Sequence, residues 1–258
     1  FYPFDIYFIF SGAFIIFVIY ISLQINKNMT KVSIIIPTLN EEDSLNVLLQ
    51  ELSEFKQYIK EIIVVDGQSH DDTIKIAKNF GCRTIIQDST LGYGNAIIIG
   101  INASTSEYSL ILDGDGSKNP IYAEKLINKI LDAKTDFVFA ERYGNGAKSL
   151  DDTILTHIGN RIFTIIGKIF FNLKLNDILH TFFICKNEKF KMIDFIFDDF
   201  GFCAELPIKV HKYNFKYTTI PTTERKRIAG KIKVKPFKDG FKILFSIFKL
   251  LTNINKNI

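Results

Sequence analysis

The sequence is poor in the residue types that build disulfide frameworks and zinc sites. Its 258 residues include only three cysteines and four histidines. The cysteines are odd in number and widely separated, which is typical of reduced, buried thiols and not of a disulfide framework. No two histidines have the spacing of zinc ligands. We therefore expect no chemistry from Cys82, Cys185, Cys203, His70, His157, His180 or His211.

Acidic residues are almost absent from the C-terminal segment. Residues 225–258 contain ten lysines and arginines and one acid, Asp239, whereas the preceding residues contain 22 basic and 27 acidic side chains. A basic tail behind a mildly acidic body indicates contacts with phosphate groups. The hydrophobic content of 47% excludes a disordered chain, and the length suits one large or two small domains.

Charged residues are also missing from residues 6–25. A helix of that length spans about 30 Å, which predicts a transmembrane anchor within residues 1–28. A cleavable signal peptide is disfavoured because no lysine or arginine precedes the run and no small-x-small site follows it. Asp5 precedes the run while Lys27 and Lys31 follow it, so the positive-inside rule predicts that the rest of the chain is cytoplasmic.

Short apolar runs alternate with helical patterns from residue 32 to residue 140. This alternation predicts an α/β fold with a doubly wound, mostly parallel sheet flanked by helices. The runs are nearly continuously apolar, as expected for strands covered on both faces. Such sheets bind ligands beyond the carboxyl ends of their strands. The predicted strands are 32–36, 62–65, 83–86, 109–112 and 137–140, and the predicted helices are 43–55, 72–80, 95–103 and 121–133.

The fourth predicted strand ends in two carboxylates, Asp113 and Asp115. Alternation along a strand points both side chains the same way past the sheet edge, where oxygen ligands can hold a divalent cation. Gly114 and Gly116 remove side chains between the acids and allow backbone to approach a ligand closely. The alternative for this Asp-Gly-Asp-Gly stretch is a plain turn.

Further loops at strand ends fit a nucleotide. The loops at 37–42 and 66–73 follow the first two strands, and Asp66 is either a ligand for ribose or base N–H groups or a turn and cap residue. Gly92 and Gly94 open a helix, where an anionic ligand is favoured. Ile97 occupies the third glycine position of a G-x-G-x-x-G pattern, so a dehydrogenase is disfavoured.

Four motifs in this order resemble the family 2 glycosyltransferases, and within them the dolichyl- and polyprenyl-phosphate mannosyl- and glucosyltransferases. The motifs are PTLNE (37–41), VVDGQSHDDT (64–73), GYGNA (92–96) and DGDGSKNP (113–120). The resemblance covers about residues 32–251 and implies the GT-A fold. It implies that Asp113 and Asp115, with Ser117 as a third ligand, hold Mg²⁺ or Mn²⁺. Its candidates for donor binding are Pro37, Thr38, Asn40, Glu41, Asp66, Gly67, Gly92 and Gly94.

By the same resemblance, residues 29–150 form the nucleotide-sugar half and residues 151–235 an acceptor-side half. The apolar stretch 154–173 is either a buried packing helix or an interfacial helix beside a lipid tail. Residues 220–233 resemble the family's Arg-rich loop over donor and acceptor phosphates, or are a solvated basic loop. The candidate phosphate clamps are Arg225, Arg227 and Lys233, together with Arg142 of the family's Ser-Arg-Tyr element.

Residues 236–258 are predicted to form an amphipathic helix on the membrane surface. Its apolar residues recur at steps of three and four, with lysines elsewhere around the helix. Basic residues beside an apolar stripe favour an anionic lipid surface, although the stripe would also suit packing on the catalytic domain. The stripe comprises Phe241, Leu244, Phe245, Phe248 and Leu251.

Two departures from the family pattern concern the acceptor. The resembled branch carries Gly-Phe-Arg or Gly-Phe-Lys after an aspartate, whereas this chain has Asp177 followed by Thr181-Phe182-Phe183. Asp151 and Asp152 stand where relatives carry arginines. Acceptor phosphate binding therefore rests on weaker grounds than donor binding.

The sequence as a whole predicts an inverting hexosyltransferase. The resemblance implies transfer from GDP-mannose or UDP-glucose to a polyprenyl or dolichyl phosphate. Alternatives are a hydroxyl acceptor, with Glu205 as base, or a non-catalytic, membrane-bound nucleotide-sugar binding protein. A nucleotidyltransferase is disfavoured because no Gly-rich basic loop follows the first strand. We expect no nucleic-acid partner.

Overall fold

The computed structural model describes residues 30–88, 90–144, 146–230 and 233–254. The predicted anchor at residues 1–28 lies outside these residues. The strands are β1 (Val32–Thr38), β2 (Ile59–Asp66), β3 (Arg83–Ile86), β4 (Tyr108–Ile111), β5 (Phe137–Glu141), β6 (Lys148–Ser149), β7 (Phe183–Lys186), β8 (Tyr217–Pro221) and β9 (Thr223–Glu224). The α-helices are α1 (Glu42–Leu52), α2 (Thr73–Asn79), α3 (Tyr93–Ala103), α4 (Ala123–Ala133), α5 (Ile154–Phe171), α6 (Asn187–Lys191), α7 (Gly201–Lys212) and α8 (Pro236–Ile254).

Seven strands form one sheet in the order β3-β2-β1-β4-β7-β5-β8. All neighbouring pairs are parallel except those made by β7, which runs antiparallel to β4 and to β5. The short strands β6 and β9 pair separately. The predicted α/β fold with a mostly parallel sheet is therefore confirmed. Because β1, β2 and β4 are parallel, their carboxyl ends lie along one edge.

The core has two apolar layers, one on each face of the sheet. In β1, Ile34 and Ile36 belong to one layer and Ile35 to the other, and all seven residues of the strand are buried. Helices α1 and α4 cover the first face, while α3, α7 and α8 cover the second. Each such side chain contributes about 1.5–3 kcal/mol by burial. This double covering is why the strands read as continuous apolar runs.

Helix α5 has one buried face and one exposed face. It begins at a capping box between Thr153 and Thr156 and ends at Asn172, whose φ of 53° is left-handed. Thr164, Gly167 and Phe171 pack inward. Among the described residues it alone has the length and apolarity of a membrane span, with a mean hydropathy of 1.2 and 17% of its residues buried.

The predicted C-terminal helix is present as α8. Ile243, Ile247 and Leu250 are buried against the core, so this face anchors the helix to the sheet domain. Most of the predicted apolar stripe points away from the core instead. The exposed members are Phe241, Leu244, Phe245 and Phe248, and Phe237 of the same helix is exposed as well.

The three cysteines are free thiols, as expected from their spacing. Burial raises the pKa of Cys82 to about 11 and that of Cys203 to about 12. Burial also raises the pKa of Cys185. All three thiols are therefore protonated at neutral pH, which makes them unreactive.

Candidate active site

Hydrogen bonds connect the loops after β1 and β2 at the carboxyl edge of the sheet. The Asp66 carboxylate accepts hydrogen bonds from the Ser69 N–H at 2.8 Å and from the Thr38 hydroxyl at 3.2 Å. Asn40 has a left-handed φ of 50°, and its side-chain oxygen accepts from the His70 N–H at 2.8 Å. These bonds give Asp66 and Asn40 a structural role in shaping the edge. Their contact with a donor stays a prediction.

The acidic loop after β4 packs directly on the end of β1. The Gly114 N–H lies 3.4 Å from the Pro37 carbonyl, and the Gly67 N–H donates to the Thr38 carbonyl at 2.8 Å. A Cβ on Gly114 would lie 2.8 Å from Thr38 Cγ2. Glycine at position 114 is thus required by the packing of the chain itself. The predicted donor residues Pro37, Thr38 and Gly67 accordingly lie beside the acidic pair.

Asp113 has a permanent counter-ion that the sequence did not predict. Its Oδ1 lies 2.8 Å from Lys118 Nζ and accepts a hydrogen bond from the Tyr93 hydroxyl at 2.6 Å. Lys118 is buried and also donates to the carbonyl and hydroxyl oxygens of Thr181, at 2.9 and 3.1 Å. A lysine inside an acidic motif was the available sequence signal for this contact.

Asp115 has a different environment. The Ser117 N–H donates to its Oδ1 at 2.9 Å across the turn at Gly116, whose φ is 72°. Burial, and then the nearby charge of Asp113, raise the pKa of Asp115. The ionised Asp115 carboxylate is therefore poorly compensated by the protein, and a cation beside it would be stabilised.

The oxygen atoms at this edge suit a hard divalent cation. Within the described ranges, no group of three or more His, Cys, Asp or Glu side chains is arranged to hold a metal ion. Mg²⁺ usually binds through one or two carboxylates together with substrate phosphates rather than in an all-protein cage. Asp113, Asp115 and the buried hydroxyl residue Ser117 fit that pattern.

The basic loop after β9 lies on the acidic loop. The Arg225 N–H donates to the Ser117 carbonyl at 3.1 Å, and the Arg225 Nε donates to the Gly116 carbonyl at 2.6 Å. The Arg225 guanidinium also makes a bidentate pair with Glu51, at 2.8 and 2.6 Å. Ile228 covers Gly116, where an added Cβ would lie 2.4 Å from its Cδ1. This segment therefore lies on the acidic loop, and its predicted closure over donor and acceptor phosphates stays a prediction.

The two other predicted clamps of this loop also reach acids around the site. Arg227 Nη1 lies 3.4 Å from Asp115 Oδ2, and its Nη2 pairs with Asp151. Lys233 pairs with Glu41, whose pKa is raised by burial and lowered in part by that lysine. The basic side chains therefore take acids of the protein as counter-ions, and a donor diphosphate would compete with those acids.

Close packing also accounts for the glycines that open α3. A Cβ on Gly92 would lie 2.2 Å from the Asp198 carbonyl oxygen, and one on Gly94 would lie 2.4 Å from Phe202 Cβ. Both contacts are to the segment that begins α7. The predicted anion-binding role of Gly92 and Gly94 stays a prediction, and their packing is a sufficient reason for glycine.

Arg142 sits in a buried cluster of charges. It makes a bidentate pair with Asp177, at 2.7 and 3.1 Å, and its Nη1 lies 3.4 Å from Glu224 Oε2. Burial alone would lower the pKa of Arg142, but these two carboxylates raise it well above the usual value. Its predicted role as a phosphate ligand is untested, and here its guanidinium is bound to carboxylates.

His180 adjoins this cluster, where the family pattern is altered. Burial, and then the charge of Arg142, hold the pKa of His180 well below its usual range, so the imidazole is neutral. Its Nδ1 lies 3.9 Å from Glu224 Oε1. Phe183, which stands in place of the family's basic residue, is fully buried in the core. At this position of β7, an apolar side chain that packs in the core therefore takes the place of the family's basic side chain.

A cavity of about 350 Å³ opens beside Arg142, between the β6 region and α5. Its walls carry several cationic or titratable side chains and also apolar ones. Arg161 stacks over the Tyr143 ring with its guanidinium carbon 5.7 Å from the centroid. The cavity is lined by Arg142, Tyr143, Gly144, Ala147, Lys148, Ser149, Leu150, His157 and Arg161.

Glu205 is not placed to act as a base. Its carboxylate is fully buried and accepts from the N–H groups of Ile196 and Phe197, at 2.8 and 3.0 Å. Lys209 pairs with the same carboxylate at 2.8 Å. The suggestion that Glu205 activates a hydroxyl acceptor is therefore wrong for this structure, because both oxygens hold the turn before α7.

Comparison with known proteins shows the family of this chain. Residues 33–193, more than half of the chain, match the family described as "Glycosyl transferase family 2". "Glycosyltransferase AglJ" of Haloferax volcanii is 26% identical over 84% of this chain and 71% of its own length. "Dolichyl-phosphate hexose transferase" of the same organism is 28% identical over 84% and 92%. "Dolichol-phosphate mannosyltransferase" of Pyrococcus furiosus is 28% identical over 86% of this chain and 64% of that protein.

The fold is also found among solved structures. The glucosyl-3-phosphoglycerate synthase of Mycobacterium tuberculosis, in complex with Mn²⁺, uridine diphosphate and glucosyl-3-phosphoglycerate, superposes with a TM-score of 0.69. The match covers 88% of this chain and 82% of that one at 17% identity, which is evidence for the fold alone. With the family match over its sheet and acidic loop, the chain belongs to glycosyl transferase family 2 and is a glycosyltransferase of the GT-A fold.

Proposed function

We propose that this glycosyltransferase moves a hexose, with inversion, from a nucleotide diphosphate sugar to a polyprenyl phosphate. The observation that carries the proposal is the cavity that presents the basic side chains of Lys148 and Arg161 beside the exposed apolar face of α5. A site of this kind suits an acceptor with an anionic head and a long apolar tail. The names of two relatives, a dolichyl-phosphate hexose transferase and a dolichol-phosphate mannosyltransferase, support the same acceptor class.

The donor side of the proposal rests on the acidic loop. Asp113, Asp115 and Ser117 would hold Mg²⁺ or Mn²⁺, as the crystallised relatives with bound metal and uridine diphosphate also suggest. When bound, the cation neutralises charge on the departing diphosphate. The loops that contain Pro37 and Asp66 would accept the nucleoside part at the same sheet edge.

The basic loop would supply the remaining positive charge. Arg225, Arg227 and Lys233 are held over the acidic loop by pairs with protein carboxylates. A diphosphate brings two negative charges and several acceptor oxygens, so it can take these side chains from their acids. The loop would then bind the donor without a large rearrangement.

The acceptor side rests on α5. Its exposed apolar residues recur at steps of three or four and form a stripe next to the row of His157, Arg161 and Lys168. Arg161 also lines the cavity, so it can bind a phosphate whose lipid tail follows the stripe. The exposed members of the stripe are Ile154, Leu155, Ile158, Ile162, Ile165 and Ile169.

The exposed face of α8 supports a position at the membrane surface. It carries four phenylalanines, and Lys238 and Lys242 are exposed on the same helix. Such a helix partitions into the headgroup region of a bilayer, and each nearby lysine adds about 1 kcal/mol of attraction to anionic lipid. A surface location brings α5 and its cavity within reach of a lipid acceptor. The predicted anchor and its cytoplasmic orientation remain expectations from the sequence.

The acceptor proposed here needs no general base, because a phosphate oxygen is already anionic at neutral pH. The burial of Glu205 and its bonds to Ile196 and Phe197 disfavour Glu205 as the base that a hydroxyl acceptor would need. Arg142 and its carboxylate partners would fix the wall of the cavity, and the exposed guanidinium of Arg161 would bind the acceptor phosphate.

Replacing Arg161 with alanine tests the acceptor site. We expect the KM for polyprenyl phosphate to rise about tenfold or more, because a charge-assisted hydrogen bond contributes about 1.5–3 kcal/mol. The KM for the donor should not change. Steady-state kinetics with each substrate varied in turn measures both values.

Lys125→Ala is the matched control, since Lys125 is an exposed cation on α4 outside this cavity. Equal KM values for wild type and Arg161→Ala would argue against acceptor binding in the cavity.

The proposed function is tested by one transfer assay. Membranes that contain the full chain are supplied with a panel of radiolabelled nucleotide sugars and with polyprenyl phosphate, with and without EDTA. We expect one sugar to enter the lipid fraction, and EDTA to stop the transfer. Nucleotide-sugar binding without transfer to any lipid phosphate would contradict the proposal and favour a binding protein.

A further inference from the structure

Lys118 is the most unusual charged side chain of the acidic loop. Only 1% of its side chain is exposed, whereas lysine is almost never fully buried unless it is paired. Its ammonium group has donor contacts to Asp113, Tyr93 and Thr181, at 2.8 to 3.1 Å. These contacts satisfy the ammonium on several sides, so Lys118 is fixed in place.

The two acids of the loop consequently have unlike counter-ions. Asp113 faces Lys118, which belongs to the same loop and is buried. Asp115 faces Arg227, which belongs to the basic loop, with 3.4 Å between Asp115 Oδ2 and Arg227 Nη1. The Arg227 side chain is 21% exposed. A ligand can displace Arg227 from Asp115, but it cannot displace Lys118 from Asp113 without breaking a buried network.

The local charge balance depends on this difference. Asp113, Asp115 and Glu41 place three carboxylates at one sheet edge, and Asp115 acts on Glu41 electrostatically. With Lys118 in place, one of those charges is already neutralised before any substrate or metal binds. Without it, the edge would attract divalent cations more strongly and would repel the donor diphosphate more strongly.

We infer that Lys118 is a positioning residue, a built-in counter-ion that orients the Asp113 carboxylate and limits how tightly the acidic loop holds its divalent cation. The inference rests on the metal-dependent function proposed above. It goes further, because it assigns a role to a residue outside the predicted ligand set. A loosely held cation can enter with the donor and leave with the nucleotide product.

The competing explanation is that Lys118 only stabilises the fold. Both explanations predict that Lys118→Met lowers the unfolding midpoint, since the buried Asp113 contact is lost. The two explanations differ in the metal affinity that they predict for the variant. A charge effect makes Mn²⁺ binding tighter in the variant, whereas a purely structural role leaves it unchanged or weaker.

The test is a titration of the full chain with Mn²⁺ alone, in which electron paramagnetic resonance measures the concentration of the free ion. We expect Lys118→Met to bind Mn²⁺ about tenfold more tightly than wild type, which is a modest share of the interaction between unit charges a few ångströms apart. Lys118→Arg, which keeps the charge, should stay close to wild type. Lys125→Met is the control for loss of a lysine elsewhere, and it should not change the affinity.

A second pair of variants covers the case in which Lys118→Met does not fold. Asp113→Asn is compared with Asp113→Asn/Lys118→Met, which removes both members of the buried pair and leaves no lone charge. The double variant should bind Mn²⁺ at least tenfold more tightly than Asp113→Asn. Equal affinities in that pair, or unchanged affinity in a folded Lys118→Met, would overturn the role of Lys118. Absence of Mn²⁺ binding by wild type, both alone and in the presence of uridine diphosphate, would instead reject the metal site of the proposed function, and this inference with it.

Discussion

Replacing Asp115 with asparagine is expected to reduce sugar transfer about a thousandfold without lowering the unfolding midpoint. The loss follows because Asp115 is the acid at which a cation can replace Arg227, and preorganised charge stabilisation of this kind contributes up to about a thousandfold. The stability follows from the sign of the pKa shift. Burial and the charge of Asp113 raise the pKa of Asp115, so its ionised form costs stability above that pKa, and a neutral amide removes the cost.

The measurement pairs initial rates with thermal unfolding of the same preparations. Asp43→Asn is the matched control, because Asp43 is an exposed acid in the first turn of α1. Its rate and midpoint should stay close to wild type. Retained turnover in Asp115→Asn, or a midpoint that falls by several degrees, would contradict the assignment of Asp115 as a cation ligand.

The fold was predictable wherever a strand is covered on both faces. Predicted strand 32–36 lies within the fully buried β1, and 137–140 differs from the fully buried β5 by one residue. Predicted strand 83–86 coincides with the partly exposed edge strand β3, where β-branched residues gave the signal. The start of β2 was predicted three residues late, because Lys60 and Glu61 interrupt the apolar run at the partly exposed end of the strand. Burial of both faces produces the signal, and it fades where the strand reaches solvent.

Other elements gave no periodic signal. Helix α7 buries ten of its twelve residues and contains Pro207, so it has neither a polar face nor a helix-like composition. Strand β7 is inserted antiparallel between β4 and β5, which the order of the sequence does not reveal. Long-range pairing decides both features, and a single sequence does not show pairing.

The candidate site, too, has a part that could be predicted from the sequence and a part that could not. The carboxyl ends of parallel strands must share an edge, so Pro37, Asp66 and Asp113 could be grouped from the sequence alone. The partners of charged residues could not be predicted, because they come from distant segments. Lys118 donates to the Thr181 carbonyl, 63 positions away in the sequence, and Arg142 pairs with Glu224, 82 positions away.

The pairing of Arg142 also separates its structural role from its predicted phosphate role. All of its ion pairs among the described residues are to Asp177 and Glu224. The Asp177 side chain is fully buried, and 10% of the Arg142 and Glu224 side chains is exposed. A phosphate would therefore have to compete with a buried bidentate pair. Both arginines line the cavity, but Arg161 is exposed whereas Arg142 is buried and paired, so Arg142 holds the wall.

Arg142→Met is accordingly expected to cause the largest loss of stability among these variants. Removing one partner of a buried ion pair leaves an uncompensated charge and costs about 3–5 kcal/mol, which corresponds to a fall of about 10 °C in the unfolding midpoint for a chain of this size. Arg142→Met/Asp177→Asn should recover part of that fall, because it leaves one fewer unpaired charge. Differential scanning calorimetry measures both midpoints. If Arg142→Met instead unfolds at the wild-type temperature and only raises the KM for the lipid acceptor, Arg142 is a phosphate ligand and the wall of the cavity is held by other contacts.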